Sequence, residues 1–199
     1  MPAVFSAEHD PGATQEAYRR FYASIGLCIT RYQSIDDRLE SIFSSTLRIG
    51  NEASSGMFSI AQGLESRIKL ISAAMTERDE RFGKLWENLR RRIKLAADHR
   101  NQIAHSTSFL QGRAIVLAEG EDGEMAVAGF SPLQSEMKLA KKTKAGEVIW
   151  NTEAIIKETE ALDELSRNMT VFVRLLIDGK VPSQFQTWWA HPLVKSWEP

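Results

Sequence analysis

Residues 79–105, DERFGKLWENLRRRIKLAADHRNQIAH, decide how this chain is read. Phe82, Trp86, Leu89, Ile93 and Ala96 recur every three or four residues, and Ile103 returns to the same phase. That period predicts a strongly amphipathic helix. The helix closes on Arg100-Asn101-Gln102-Ile103-Ala104-His105, which sets a permanent cation, an amide and an imidazole within two turns. A guanidinium grips a phosphate with two donors, and an imidazole takes or gives a proton near neutral pH. An amide beside them can orient either one.

Arg100 is four residues after Ala96 and three before Ile103, so it falls in the core-facing phase. A cation there must be paired or reach solvent. Two readings follow. In one, Arg100 serves structure, pairing with an acid such as Asp36 or Glu40 while His105 and Ser106 close the helix. Alternatively, Arg100, Asn101 and His105 form a catalytic set, with Asn101 and His105 four apart on one face. The surrounding charge bears on the choice. Residues 84–105 hold Lys84, Arg90, Arg91, Arg92, Lys94 and Arg100, with His99 and His105, against Glu87 and Asp98. Arg90, Arg91, Arg92, Lys94 and His99 are either a solvated helix face or an electrostatic approach for RNA.

The remaining helices follow from the same spacing. One is expected over 14–47 on Tyr18, Phe21, Ile25, Cys28, Tyr32, Ile35, Leu39 and Ile42, capped by Thr14 and stopped by Gly50-Asn51. A second is expected over 56–75 on Met57, Ile60, Leu64, Ile68, Ile71 and Met75, capped by Ser54 or Ser55. The fourth is expected over 152–178 on Ile155, Thr159, Leu162, Leu165, Met169, Phe172 and Leu176, closed by Gly179 and Pro182. Between the third and fourth, 113–118 and 124–130 read as a β-hairpin around the turn 119–123. Residues 138–146, with Lys138, Lys141, Lys142 and Lys144, read as a basic surface loop or as an edge that touches nucleic acid. The expected organisation is an extension over 1–13, a helical domain over 14–180 with an insertion at 106–150, and an aromatic tail over 181–199. Trp188, Trp189 and Trp197 in that tail are expected to fold back onto the bundle or onto a second subunit.

Composition narrows the function classes. The chain has 199 residues, 43% of them hydrophobic and 26% charged, with a net charge of −1. One domain with a full core is the expectation at this length. So small a net charge excludes nucleic-acid binding by bulk charge and requires a local patch. Cys28 is the single cysteine, which excludes an intrachain disulfide and a cysteine-based zinc site. Its neighbours Ile25, Leu27 and Ile29 point to a buried thiol. No apolar run reaches the roughly 18 residues of a membrane span, and no basic-then-apolar leader opens the chain. The expected setting is cytoplasmic, without membrane. Asp98, His99 and His105 lack any metal-ligand spacing, and there is no Gly-rich phosphate loop and no Gly-x-Ser-x-Gly. No metal or cofactor is expected. His9 and His191 lie near the termini without evident partners.

Arg100, Asn101 and His105, an Arg followed by four residues and a His with a polar residue after the Arg, resemble the signature of HEPN domains. The helix count and order over about 14–178 agree with that family. The resemblance implies an all-α, four-helix up-and-down bundle, here with a small β-hairpin insertion between the third and fourth helices. It also implies a metal-independent endoribonuclease, often a toxin or defence effector, that leaves 2′,3′-cyclic phosphate ends. His105 would act as general base or acid, Arg100 would hold the scissile phosphate, and Asn101 would orient the histidine or bond a phosphate oxygen. The implied partners are RNA, a second copy sharing one cleft, and an antitoxin or regulatory protein. Other members only bind RNA, a nucleotide or a protein partner, which is the alternative expectation. The insertion and the aromatic tail depart from the family pattern and can reshape a cleft or block it.

Overall fold

A computed structural model describes residues 11–78, 80–119, 125–143 and 146–178. It is predominantly helical with one small antiparallel sheet: α1 (Pro11–Leu47), α2 (Asn51–Ile60), α3 (Leu64–Met75), α4 (Glu80–Ala104), β1 (Thr107–Glu119), β2 (Met125–Thr143), β3 (Gly146–Asn151) and α5 (Thr152–Asp178). The chain divides into two compact units. Among the described residues, the first takes 11–27 and 101–157, and the second takes 28–100 and 158–178.

The second unit is a helical core built from the expected stripes. Ile35, Leu39, Ile42 and Phe43 of α1 are buried, as are Ile68, Ile71 and Met75 of α3. Leu85, Trp86, Leu89 and Ile93 of α4 join them, with Leu162, Leu165, Met169 and Phe172 of α5. The Trp86 and Phe172 rings stack at 6.5 Å, and the Trp86 indole N–H donates to Ser72 at 2.8 Å. Polar side chains tie the helices together around this core. Arg31 meets Asp163 at 3.2 Å, Arg92 meets Glu164 at 3.0 Å, and Arg38 donates to Ser166 at 2.6 Å.

Two expectations about the helices give way. The stretch expected as one helix over 56–75 is two, broken at Ala61-Gln62-Gly63, where Gly63 takes φ 78°. Only glycine enters that region at no steric cost. With the break, α2 turns Ser54 and Phe58 inward and leaves Met57 and Ile60 exposed, so those two are not core residues. Gly50 and Asn51, expected to stop α1, instead open α2, and Ser54 lies inside that helix rather than capping it. Likewise α1 begins at Pro11, so Thr14 is within the helix.

The stop of α1 is Arg48, which adopts φ 56°. The amide of Ile49 then donates back to the Ser44 carbonyl at 3.3 Å, the long hydrogen bond of a Schellman end. Arg78 closes the remaining carbonyls, donating to Thr46 at 2.8 Å and to Ser45 at 2.7 Å. A cation placed there also meets the negative end of the helix dipole.

The first unit holds the sheet, in the order β1-β2-β3. β1 and β2 contain the expected hairpin strands and run beyond them; the expected turn falls largely outside the described residues. Residues 138–143 are not a loop. They pair with β3 in register, Leu139 opposite Trp150 and Lys142 opposite Glu147. The alternation of buried Met137 and Leu139 with more exposed Lys138 and Lys142 is the two-residue period of a strand with one covered face. Asn151 caps α5, its Oδ1 accepting the Ala154 amide at 2.8 Å. The aromatic tail, the Gly179 and Pro182 stop, His9 and His191 lie outside the described residues.

Cys28 is fully buried. Burial pushes its thiol up to about 11, a hydrogen bond with Thr159 offsets part of that, and the Glu158 carboxylate adds to the rise.

Two predictions rest on these features. Arg48→Gly relieves a left-handed side chain that costs about 1 kcal/mol and removes a charge that faces Arg78. Urea denaturation should show higher stability at an unchanged m-value, and a loss would show that the Arg48 side chain supports the turn. Because the folded thiol value lies above the ordinary 9.0, the contribution of Cys28 to stability is complete below pH 9 and is lost as pH rises toward 11. Native protein at pH 8 should therefore resist iodoacetamide and react on unfolding; rapid native alkylation would contradict the burial.

Candidate functional site

The end of α4 carries the residues singled out by sequence. Arg100 and Asn101 are consecutive in the helix, and His105 is in the turn that follows Ala104. Asn101 and His105 are exposed, and Arg100 is half-buried. Arg100 belongs to the second unit, Asn101 and His105 to the first.

In the second unit the Arg100 guanidinium lies over the Tyr32 ring, 5.6 Å from its centroid. An aromatic face stabilises a cation that has lost part of its hydration. This is how a cation occupies the core-facing phase. Asp36, one of the acids suggested for Arg100, pairs with Arg67, whose guanidinium also lies over Phe58 at 5.0 Å. The phenol of Tyr32 is raised above its ordinary value, chiefly by burial and then by Asp36, while Arg100 and Arg67 act the other way.

In the first unit the helix end is held by the sheet. The Asn101 carbonyl accepts the His105 amide at 3.2 Å and the Lys141 ammonium at 3.2 Å. The Trp150 indole donates to the Gln102 side chain at 3.2 Å, and the Ser106 hydroxyl donates to the Gln102 carbonyl. Tyr22 donates to Ser108 at 3.3 Å, which places the start of α1 on the same face of the sheet.

The basic run along α4 is largely engaged with acids. Arg90 meets Glu87 at 2.6 Å and Lys94 meets Glu65 at 2.9 Å. Arg92 holds Glu164, and the Arg91 side chain donates to the Glu87 carbonyl at 3.4 Å. His99 is half-buried with its Nδ1 at 2.8 Å from Glu158. Glu65, Glu158 and Glu164 come from α3 and α5, so a count of charges along α4 alone does not see them. A cleft of about 710 Å³ opens at the other end of α4, between Met75 and Arg91. Of the candidate catalytic and RNA-binding residues it includes Arg91 alone.

Tyr32 and Trp150 are the neighbours of the motif that sequence reasoning missed, and Lys141 was met only in a segment read as a surface loop or an edge that touches nucleic acid. Tyr32 was absorbed into the apolar stripe of α1, and Lys141 into a basic run. The alternation Met137, Leu139, Lys141 was the available signal for the strand. Among the described residues no three of His, Cys, Asp and Glu come together as a metal site, and no helix is long and apolar enough to cross a membrane. The chain matches no family model, no curated protein and no solved structure at a significant level.

The Tyr32–Arg100 contact is measurable. A double-mutant cycle of Tyr32→Leu and Arg100→Met should give a coupling of about 1 kcal/mol in unfolding free energy. A coupling near zero would mean that the guanidinium does not rest on the ring in solution.

Proposed function

We propose that this chain is a HEPN-like, metal-independent endoribonuclease that acts as a homodimer, with Arg100, Asn101 and His105 as its working residues. The observation that carries this reading is the exposure of Asn101 and His105 at the end of α4, one helical step beyond an arginine steadied by an aromatic ring. A structural pair would favour a satisfied, buried imidazole, and the His105 side chain is exposed.

The reaction is an intramolecular transesterification. His105 takes the proton from the ribose 2′-hydroxyl, the 2′ oxygen bonds to phosphorus, and the bond from phosphorus to the 5′ oxygen breaks. A proton delivered to the leaving oxygen completes a 5′-hydroxyl and a 2′,3′-cyclic phosphate. One imidazole does not serve as base and acid in the same step, so a second copy of the motif supplies the acid across a shared cleft. Arg100 stabilises charge developing on the phosphate, and Asn101 orients the imidazole or bonds a phosphate oxygen. A role as toxin or defence effector under the control of an inhibitor protein is consistent with this activity.

Within the alternative, a module that binds RNA, a nucleotide or a protein without cleaving, one observation favours a partner other than RNA. Arg90, Arg92 and Lys94 each hold a carboxylate, so they offer RNA less than their number suggests.

Incubation with transfer RNA in EDTA separates the readings. Wild type should cleave to 2′,3′-cyclic phosphate ends, and His105→Ala should be slower by ~10²–10⁴-fold at unchanged fold. Arg100→Ala should lose both turnover and RNA affinity. Retained cleavage in His105→Ala would overturn the assignment, and no cleavage by folded wild type would favour the binding module.

A further inference from the structure

Lys141 occupies an unusual position for a lysine. It lies on the same strand and in the same alternation as Met137 and Leu139, both buried, and opposite Val148. Its ladder neighbour Leu139 pairs with Trp150, also buried. The residues of this face are therefore covered, and Lys141 continues their row beyond the apolar part. Its side chain runs toward the end of α4 and sets the ammonium against the Asn101 carbonyl.

Helix capping alone does not account for that placement. The Asn101 carbonyl already accepts the His105 amide, so the lysine bond is a second one on a satisfied oxygen. An ammonium has three donors, and this bond uses one. The other strand lysines differ. Lys142 is on the opposite face with Glu147 directly across from it, an opposite-charge cross-strand pair. Lys141 faces Val148 and shares its acceptor with the backbone of His105. A cation is thus set, within the first unit, on the helix end that carries the exposed residues Asn101 and His105.

We propose that Lys141 is a further phosphate-binding residue of this site, contacting the RNA backbone beside the scissile phosphate. The proposal rests on the ribonuclease reading for the meaning of the site, but it is tested by binding as well as by turnover. Lysine suits such a role as a compact point charge with rotatable donors. In a chain of net charge −1 the approach of RNA depends on cations placed singly rather than on a basic field.

The experiment uses the full chain and a fluorescein-labelled single-stranded oligoadenylate. Affinity is measured by anisotropy across a salt series in the His105→Ala background, so that the probe stays intact. Lys141→Met should weaken binding about fivefold, the upper range for one exposed charge pair, and should reduce the salt slope by about 0.7. Lys141→Arg should restore most of the affinity. In the wild-type background Lys141→Met should raise KM more than it lowers kcat. Thermal melts of each variant identify a structural effect. A lower Tm with unchanged affinity and salt slope would make Lys141 a helix cap and overturn the proposal. Lysine-dependent binding without wild-type cleavage would support the phosphate site while removing the ribonuclease reading. Cleavage that is indifferent to Lys141 would do the reverse, and no binding at all would overturn both.

Discussion

A helix leaves its last carbonyls without intrahelical donors, and the ends of α1 and α4 show how this chain meets that constraint. At α1 the solution is a left-handed Arg48, a long backbone bond from Ile49 to Ser44, and two donors from Arg78. The arginine that seals α1 comes from just beyond α3, so the end of one helix depends on the placement of another. At α4 the donors come from His105, Ser106 and a lysine of β2. A catalytic reading of the second end is attractive because the Asn101 and Gln102 carbonyls have donors while residues Asn101 and His105 are exposed. Residues that must close a helix are not available for chemistry, and those of α4 are not all needed for closure.

Much of this architecture was legible in the sequence, for a physical reason. Helices buried on one face write their period into the chain, and α5 was read as a helix from Thr152 onward because Ile155, Leu162, Leu165, Met169 and Phe172 all face inward. The break at Gly63 was not legible, since Met57 and Ile60 keep the helical spacing although they end up exposed. Hydrophobic spacing records where a residue can be buried, and the left-handed glycine decides whether it is. The end of β2, 138–143, was missed because a run of lysines looks solvated. Its pairing partner, 146–151, has only six residues, too few to assert a period beside α5. The Arg100, Asn101 and His105 cluster was legible as a motif, whereas its setting was not. Tyr32 is distant in sequence from Arg100, and no local pattern announces that its ring receives a guanidinium.

Charge shows the same limit more sharply. Along α4 the cations outnumber the acids, and linear counting makes a basic face. In three dimensions Glu65 and Glu164 answer Lys94 and Arg92, and Glu158 answers His99. Exposed pairs of this kind contribute about 0–1 kcal/mol each to stability. Their larger effect is to cancel the field that would attract a polyanion. The helix face that looked most suited to RNA is thereby made nearly neutral, and attention shifts to the helix end.

This cancellation constrains any nucleic-acid function of the chain. With Lys141 as a phosphate contact of one copy, as proposed, its share in binding a single strand would be the release of about 0.7 counterions. That is a weak and only mildly salt-dependent interaction. A symmetric pair of sites doubles the number of contacts, and linked contacts gain affinity beyond their separate strengths. The same pairing would provide the second imidazole that the proposed cleavage requires. Under the proposed ribonuclease reading, a protein with so little net charge would gain both its affinity and its acid from dimerisation, and its activity would rise with its own concentration. An inhibitor acting on such a protein need not fill the cleft; holding the copies apart would suffice.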